Sequence, residues 1–116
     1  MRAYELMVIF DGDLDDQAVE SAVRRVQEQV GGKGSDVRRT DRWGKRRFAY
    51  EINHKHDGYY VVYEFLAGGE GLEDLERQFR LADEIVRHKL IRLPDAEAAR
   101  RGLDAEQAPA SAGSAT

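Results

Sequence analysis

The chain has 116 residues, with 18 Lys and Arg against 22 Asp and Glu, a formal charge of −4. That length suits one domain, and the acidic balance excludes a uniformly basic nucleic-acid binder. The absence of Cys excludes a disulfide scaffold, a thiolate nucleophile and a Cys-based metal centre; no apolar run nears the ~20 residues that cross a bilayer and no export signal is legible, so a soluble cytoplasmic domain is expected.

Residues 3–10, AYELMVIF, form a short apolar run that predicts a strand buried on both faces. Asp13 is placed to cap the helix that follows, and Asp15 and Asp16 suit the positive end of its dipole. That helix is predicted over 14–30, with Val19, Ala22, Val23, Val26 and Val30 on one stripe and Gly31-Gly32 as its stop. An extended segment over 35–53 alternates from Arg46, with Phe48, Tyr50 and Ile52 on one side and Arg47, Ala49 and Glu51 on the other. Asp57-Gly58 gives a hairpin signal, and 59–66 reads as a strand rich in Tyr, Val and Phe. A second helix is predicted over 72–82, burying Leu72, Leu75, Phe79 and Ala82, and a last strand over 85–93, ended by Pro94. The remaining residues, 94–116, are Ala-rich, and Leu103 is their only large aliphatic side chain. They read as a mostly disordered tail with room for a short helix near 96–101.

Strand, helix, strand, strand, helix, strand is the ferredoxin-like βαββαβ sandwich of the α+β class. A four-stranded antiparallel sheet then carries both helices on one face, and the domain spans 1–93. The apolar first and third strands take the centre, and the charged second and fourth take the edges. Charged edges also discourage strand-to-strand aggregation.

The net charge conceals a segregation. Residues 37–55 hold seven basic side chains against Asp41 and Glu51, a net of +5, and 85–93 hold Arg87, Lys89 and Arg92 with no acid, a net of +3. The two helical stretches and the tail are acidic. A polarised domain can bind phosphate on one side, because the local potential governs. The basic segment also interleaves Trp43, Phe48 and Tyr50, which can stack on bases. A solvated edge is the plain alternative.

Catalytic patterns are weak. Gly68-Gly69-Glu70-Gly71 precedes a helix but carries an acid and lacks the Lys-Ser/Thr of a phosphate loop. His54 and His56 lie in a turn without a third ligand, so no metal site and no cofactor are expected, and no catalytic residue is assigned. The third strand, Asp57 to Glu64, keeps only the Gly, the first aromatic and an aliphatic of the RNA-recognition-motif pattern, so a central stacking platform is not expected.

Three stretches carry a resemblance: MRAYELMVIF, WGKRRFAYEINHKHDGYYVVYEF and LERQFRLADEIVRHKLIR. Together they are similar to the bacterial small-subunit ribosomal protein six family over 1–93. The resemblance implies a non-enzymatic constituent of the small ribosomal subunit. It implies binding to the central domain of small-subunit ribosomal RNA together with small-subunit ribosomal protein eighteen, with no membrane and no small-molecule substrate. By position it implies RNA contacts at Arg2, Tyr4, Arg42, Lys45, Arg46, Arg47, Tyr50, Arg80, Arg87, His88, Lys89 and Arg92. Tyr4, Tyr50 and His88 could equally pack in the core. The open sheet face is expected to present Met7, Ala49, Tyr60, Val62 and Ile91 to the partner protein, among charged neighbours. A protein-interaction module without RNA and a small phosphate-handling enzyme are the competing classes.

Overall fold

The N-terminal apolar run forms β1 (Arg2–Asp11), which lies between β3 (Lys55–Ala67) and β4 (Ile85–Arg92); β2 (Asp36–Ile52) pairs with β3 at the other edge. The sheet order is β2-β3-β1-β4, all pairs antiparallel. The crossovers are α1 (Asp16–Gly31) and α2 (Leu72–Leu81), and a short α3 (Asp95–Arg100) follows the sheet. This is the ferredoxin-like arrangement, found in a computed structural model that describes residues 1–32 and 34–103. Residues 104–116 of the expected tail lie outside the described residues.

Both crossover helices cover one face. Tyr4, Leu6, Val8 and Phe10 from β1, and Val61, Tyr63 and Phe65 from β3, pack there against the valine stripe of α1 and against Leu75 and Phe79 of α2. Fully burying a side chain of this size contributes about 1.5–3 kcal/mol, so this cluster holds the fold. The Tyr63 hydroxyl, buried in it, donates to the Val23 carbonyl at 3.0 Å and ties β3 to α1. Asp15, not Asp13, caps α1: its carboxylate accepts from the Ala18 N–H at 2.8 Å. The Asp13 N–H is taken instead by the Asp11 side chain at 2.9 Å.

The edge strand β2 is longer than its partner and carries irregularities. Val37 faces Phe65 while Arg39 faces Glu64, and Arg42 faces Val61 while Gly44 faces Tyr60. Arg38 and Trp43 are therefore extra residues, each at a β-bulge. Gly44 has φ +88, a backbone region that glycine enters without penalty. The turn falls at Asn53-His54, both left-handed, with Ile52 opposite Lys55. That is what a two-residue turn of primed type requires, and Asn tolerates it well. Asp57 and Gly58 instead lie inside β3, and the reason Gly58 is glycine is space. A Cβ there would meet Ile9 Cγ2 at 2.6 Å and the Phe10 carbonyl oxygen at 2.8 Å.

The boundary expected after residue 93 moves outward. The α3 segment packs Ala98 and the following Leu103 with Leu93, Ala3 and Leu66, all buried. Arg101 then reaches Glu5 at 2.8 Å, Glu64 at 2.9 Å and Glu97 at 2.6 Å. A segment poor in apolar residues is ordered here because its few apolar side chains all face one patch. The Arg also sets a positive charge between two carboxylates that stand directly opposite each other on β1 and β3 and would otherwise repel.

Candidate nucleic-acid interface

The face away from α1 and α2 can be read as rows across the sheet. Asp41, Val62, Met7 and Lys89 form one row, and Gly44, Tyr60, Ile9 and Arg87 the next toward the hairpin. Toward the other end, Glu64 and Glu5 lie beneath Arg101, and Ala3 and Leu66 lie beneath α3. The open surface is thus bounded by α3 at one end and by the hairpin arm at the other.

The arm bends across the sheet. Its Phe48 is buried, and its ring meets Tyr60 edge-on at 6.3 Å between centroids. At the tip the Asn53 side-chain amide donates to the Val86 carbonyl at 3.0 Å. Val86 is free to accept because Ile9 faces Arg87 while Phe10 faces Ile85, which leaves Val86 as the extra residue of a bulge in β4. The two basic segments belong to opposite edges of the sheet, and this contact brings them to one end of it. Between them lies a groove of about 470 Å³ lined by Met7, Ile9, Ile52, Tyr60, Arg87 and Lys89, with His88 at its wall.

The base of the arm is pinned by charge. Lys55 Nζ lies 3.0 Å from Asp11 and 3.4 Å from Asp13. Burial pushes the Asp11 carboxyl up, but the Asp13 N–H and Lys55 outweigh it and leave the group below the ordinary carboxylate value. Lys55 is raised in turn, chiefly by its hydrogen bond to Asp11.

The twelve residues expected at RNA divide into four groups. Arg46, Arg47, Arg87 and Lys89 lie at the arm end of the sheet, and no ion pair engages them among the described residues. Tyr50 is on the same arm and 74% exposed, so it is no core residue. Arg42 and Lys45 face the helix-bearing side: Arg42 pairs with Glu20 of α1, and Lys45 lies 3.8 Å from Asp57 and over the Tyr59 ring. Arg2 and Arg92 are exposed at the opposite end of the sheet, on the face of Tyr4, and Arg80 is on α2. Tyr4 and His88 pack inward. Tyr4 stacks on Phe65 with centroids 5.5 Å apart; His88 meets the Phe79 ring, and its Nε2 lies 2.9 Å from Glu76.

Of the five residues expected to meet a partner protein, Met7, Tyr60, Val62 and Ile91 share the open face. Ala49 does not belong with them. Phe48 and Ile52 are the arm residues that meet this face, so the alternation of the arm sends Ala49 to the other side. Trp43 stands in the sequence as one of three aromatics of the basic segment able to stack, without an assigned contact. The bulge puts its indole parallel to the Tyr60 ring, 7° between planes and 6.4 Å between centroids.

The site is a ferredoxin-like sheet with one uncovered face, exposed aromatics on its arm and, among the described residues, four cations at the arm end without acidic partners. Among the described residues no group of His, Asp and Glu could hold a metal ion, and no helix is long and apolar enough to cross a membrane. The family described as Ribosomal protein S6 matches residues 3–92. The small ribosomal subunit protein bS6 of Carboxydothermus hydrogenoformans is 45% identical over 92 residues, 79% of this chain and 96% of that protein. The bS6 of Acidothermus cellulolyticus is 41% identical over 96 residues, 83% of this chain and 99% of its own length. A crystal structure of 30S ribosomal protein S6 from Thermotoga maritima superposes with a TM-score of 0.80 at 33% identity, covering 86% of this chain and 94% of that one. The chain belongs to the ribosomal protein S6 family, whose members are structural proteins of the small ribosomal subunit and not enzymes.

Proposed function

We propose that the protein binds the central domain of small-subunit ribosomal RNA together with small-subunit ribosomal protein eighteen. The observation that carries the RNA half is the Asn53–Val86 contact, which joins the basic arm to basic β4. Arg46, Arg87 and Lys89 stand there without acidic partners among the described residues, and the exposed Tyr50 ring belongs to the same arm. Phosphates take the cations, and unpaired bases take the rings. Arg47 extends the cationic edge to the far side of the arm. Arg2, Arg80 and Arg92 would serve a second RNA segment, since they lie away from the groove.

The partner half rests on the open face. Met7 and Val62 lie in one row with Lys89, and Ile91 lies in the next row beside Glu5 and Glu64 under Arg101, a mixed composition suited to a protein interface. Retention of a central-domain RNA fragment on a filter tests the pairing. With both proteins present the fragment should bind at least tenfold more tightly than with either alone. Equal affinity with and without protein eighteen would refute the joint mode.

A further inference from the structure

Trp43 is the chain's one tryptophan, and it lies outside the buried core. The residue is 43% exposed, while large side chains of the core are under 10%. Three contacts nevertheless hold it in one orientation. Its Nε1–H donates to Asp41 at 3.2 Å, one face lies parallel to Tyr60, and the Arg46 guanidinium sits over the ring at 5.3 Å. Gly44 and the bulge turn it onto the open face in the first place. Exposed aromatic area fixed in advance binds without a further loss of side-chain freedom.

We propose that Tyr60, Trp43 and Arg46 form a stacking column that receives an unpaired base of the bound RNA at its Arg46 end. The inference rests on the RNA reading above and deepens it by naming the ligand element: a single-stranded nucleotide, not a duplex. A guanidinium over an indole adds a cation that can stack on a neighbouring base, and its charge draws the adjoining phosphate. Stacking of this kind tolerates any base, which suits a contact that positions an RNA loop without reading its sequence.

Trp43 emission reports on the column directly. Titration of the full chain with a single-stranded adenylate octamer should quench it, and a fully paired RNA duplex of the same length should leave it unchanged. In filter binding to the central-domain fragment, Trp43→Leu should weaken affinity by roughly 10- to 100-fold. It should leave the salt slope unaltered, because no phosphate contact is lost. Trp43→Phe keeps an aromatic face and should recover most of that loss, which separates stacking from any change in folding. Full affinity in Trp43→Leu, or equal quenching by octamer and duplex, would overturn the column. Loss of binding to protein eighteen with RNA affinity intact would also overturn it and assign the ring to a protein. If instead the salt slope fails to respond to Arg46, Arg87 and Lys89 substitutions, the RNA reading itself fails.

Discussion

Replacing Arg101 with Met should destabilise the protein by about 2–3 kcal/mol. Glu5 and Glu64 are register partners on adjacent strands, and Glu64 is only 6% exposed. Arg101 lies 2.8 and 2.9 Å from them and is itself held protonated, first by its hydrogen bond to Glu5. Stripping one partner from a buried pair typically costs about 3–5 kcal/mol. Two features reduce that here: the Arg101 side chain is 27% exposed, and Arg39 Nε remains 3.6 Å from the second Glu64 oxygen. Urea unfolding measures the difference. In the variant, Glu64 keeps a buried charge without its main cation, so adding Glu64→Gln should restore most of the stability. A cost below about 0.5 kcal/mol would refute the idea that this cluster holds α3 on the sheet.

Three further outcomes follow from the same geometry. Gly58→Ala should cost at least about 2 kcal/mol in urea unfolding, since its Cβ would overlap Ile9 and the Phe10 carbonyl and one of the two is backbone. Tyr63→Phe should cost about 1 kcal/mol, the worth of one buried hydrogen bond to the Val23 carbonyl. Asp11 is depressed in the folded state, so its contribution is present above the ordinary carboxylate value of 3.8 and is lost as pH falls through the lower folded value. An NMR titration of Asp11 should show its midpoint move up in Lys55→Met.

Much of this architecture is legible from residue periodicity. The valine stripe fixes the buried face of α1, and the alternation of β3 puts Val61, Tyr63 and Phe65 against the helices. The relative polarity of the strands places β1 and β3 in the middle. Periodicity is blind to what interrupts it. The bulge at Trp43 shifts register by one residue, and the bend of the arm depends on a contact between Asn53 and Val86, 33 residues apart. No local pattern encodes either. The Asp57-Gly58 pair suggests a turn because glycine suits turns, yet its glycine answers a steric need within a strand. Composition misleads for α3 in the same way. Leu93, Ala98 and Leu103 are few, and only the tertiary placement of Ala3 and Leu66 makes them a cluster. The charged candidates were found by type, but their availability was not. Arg42 and Lys45 resemble Arg46 in sequence and differ in having acidic partners in space.

The salt dependence of binding to the central-domain RNA fragment, with protein eighteen present, tests the central claim most directly. Each phosphate contact removed should flatten the log–log slope by roughly 0.9 on paired RNA, taking the duplex DNA value. The triple variant Arg46→Ala, Arg87→Ala, Lys89→Ala should therefore lose affinity and flatten the slope by roughly 2 to 3. An unchanged affinity and slope would contradict an RNA surface at the junction of the arm and β4.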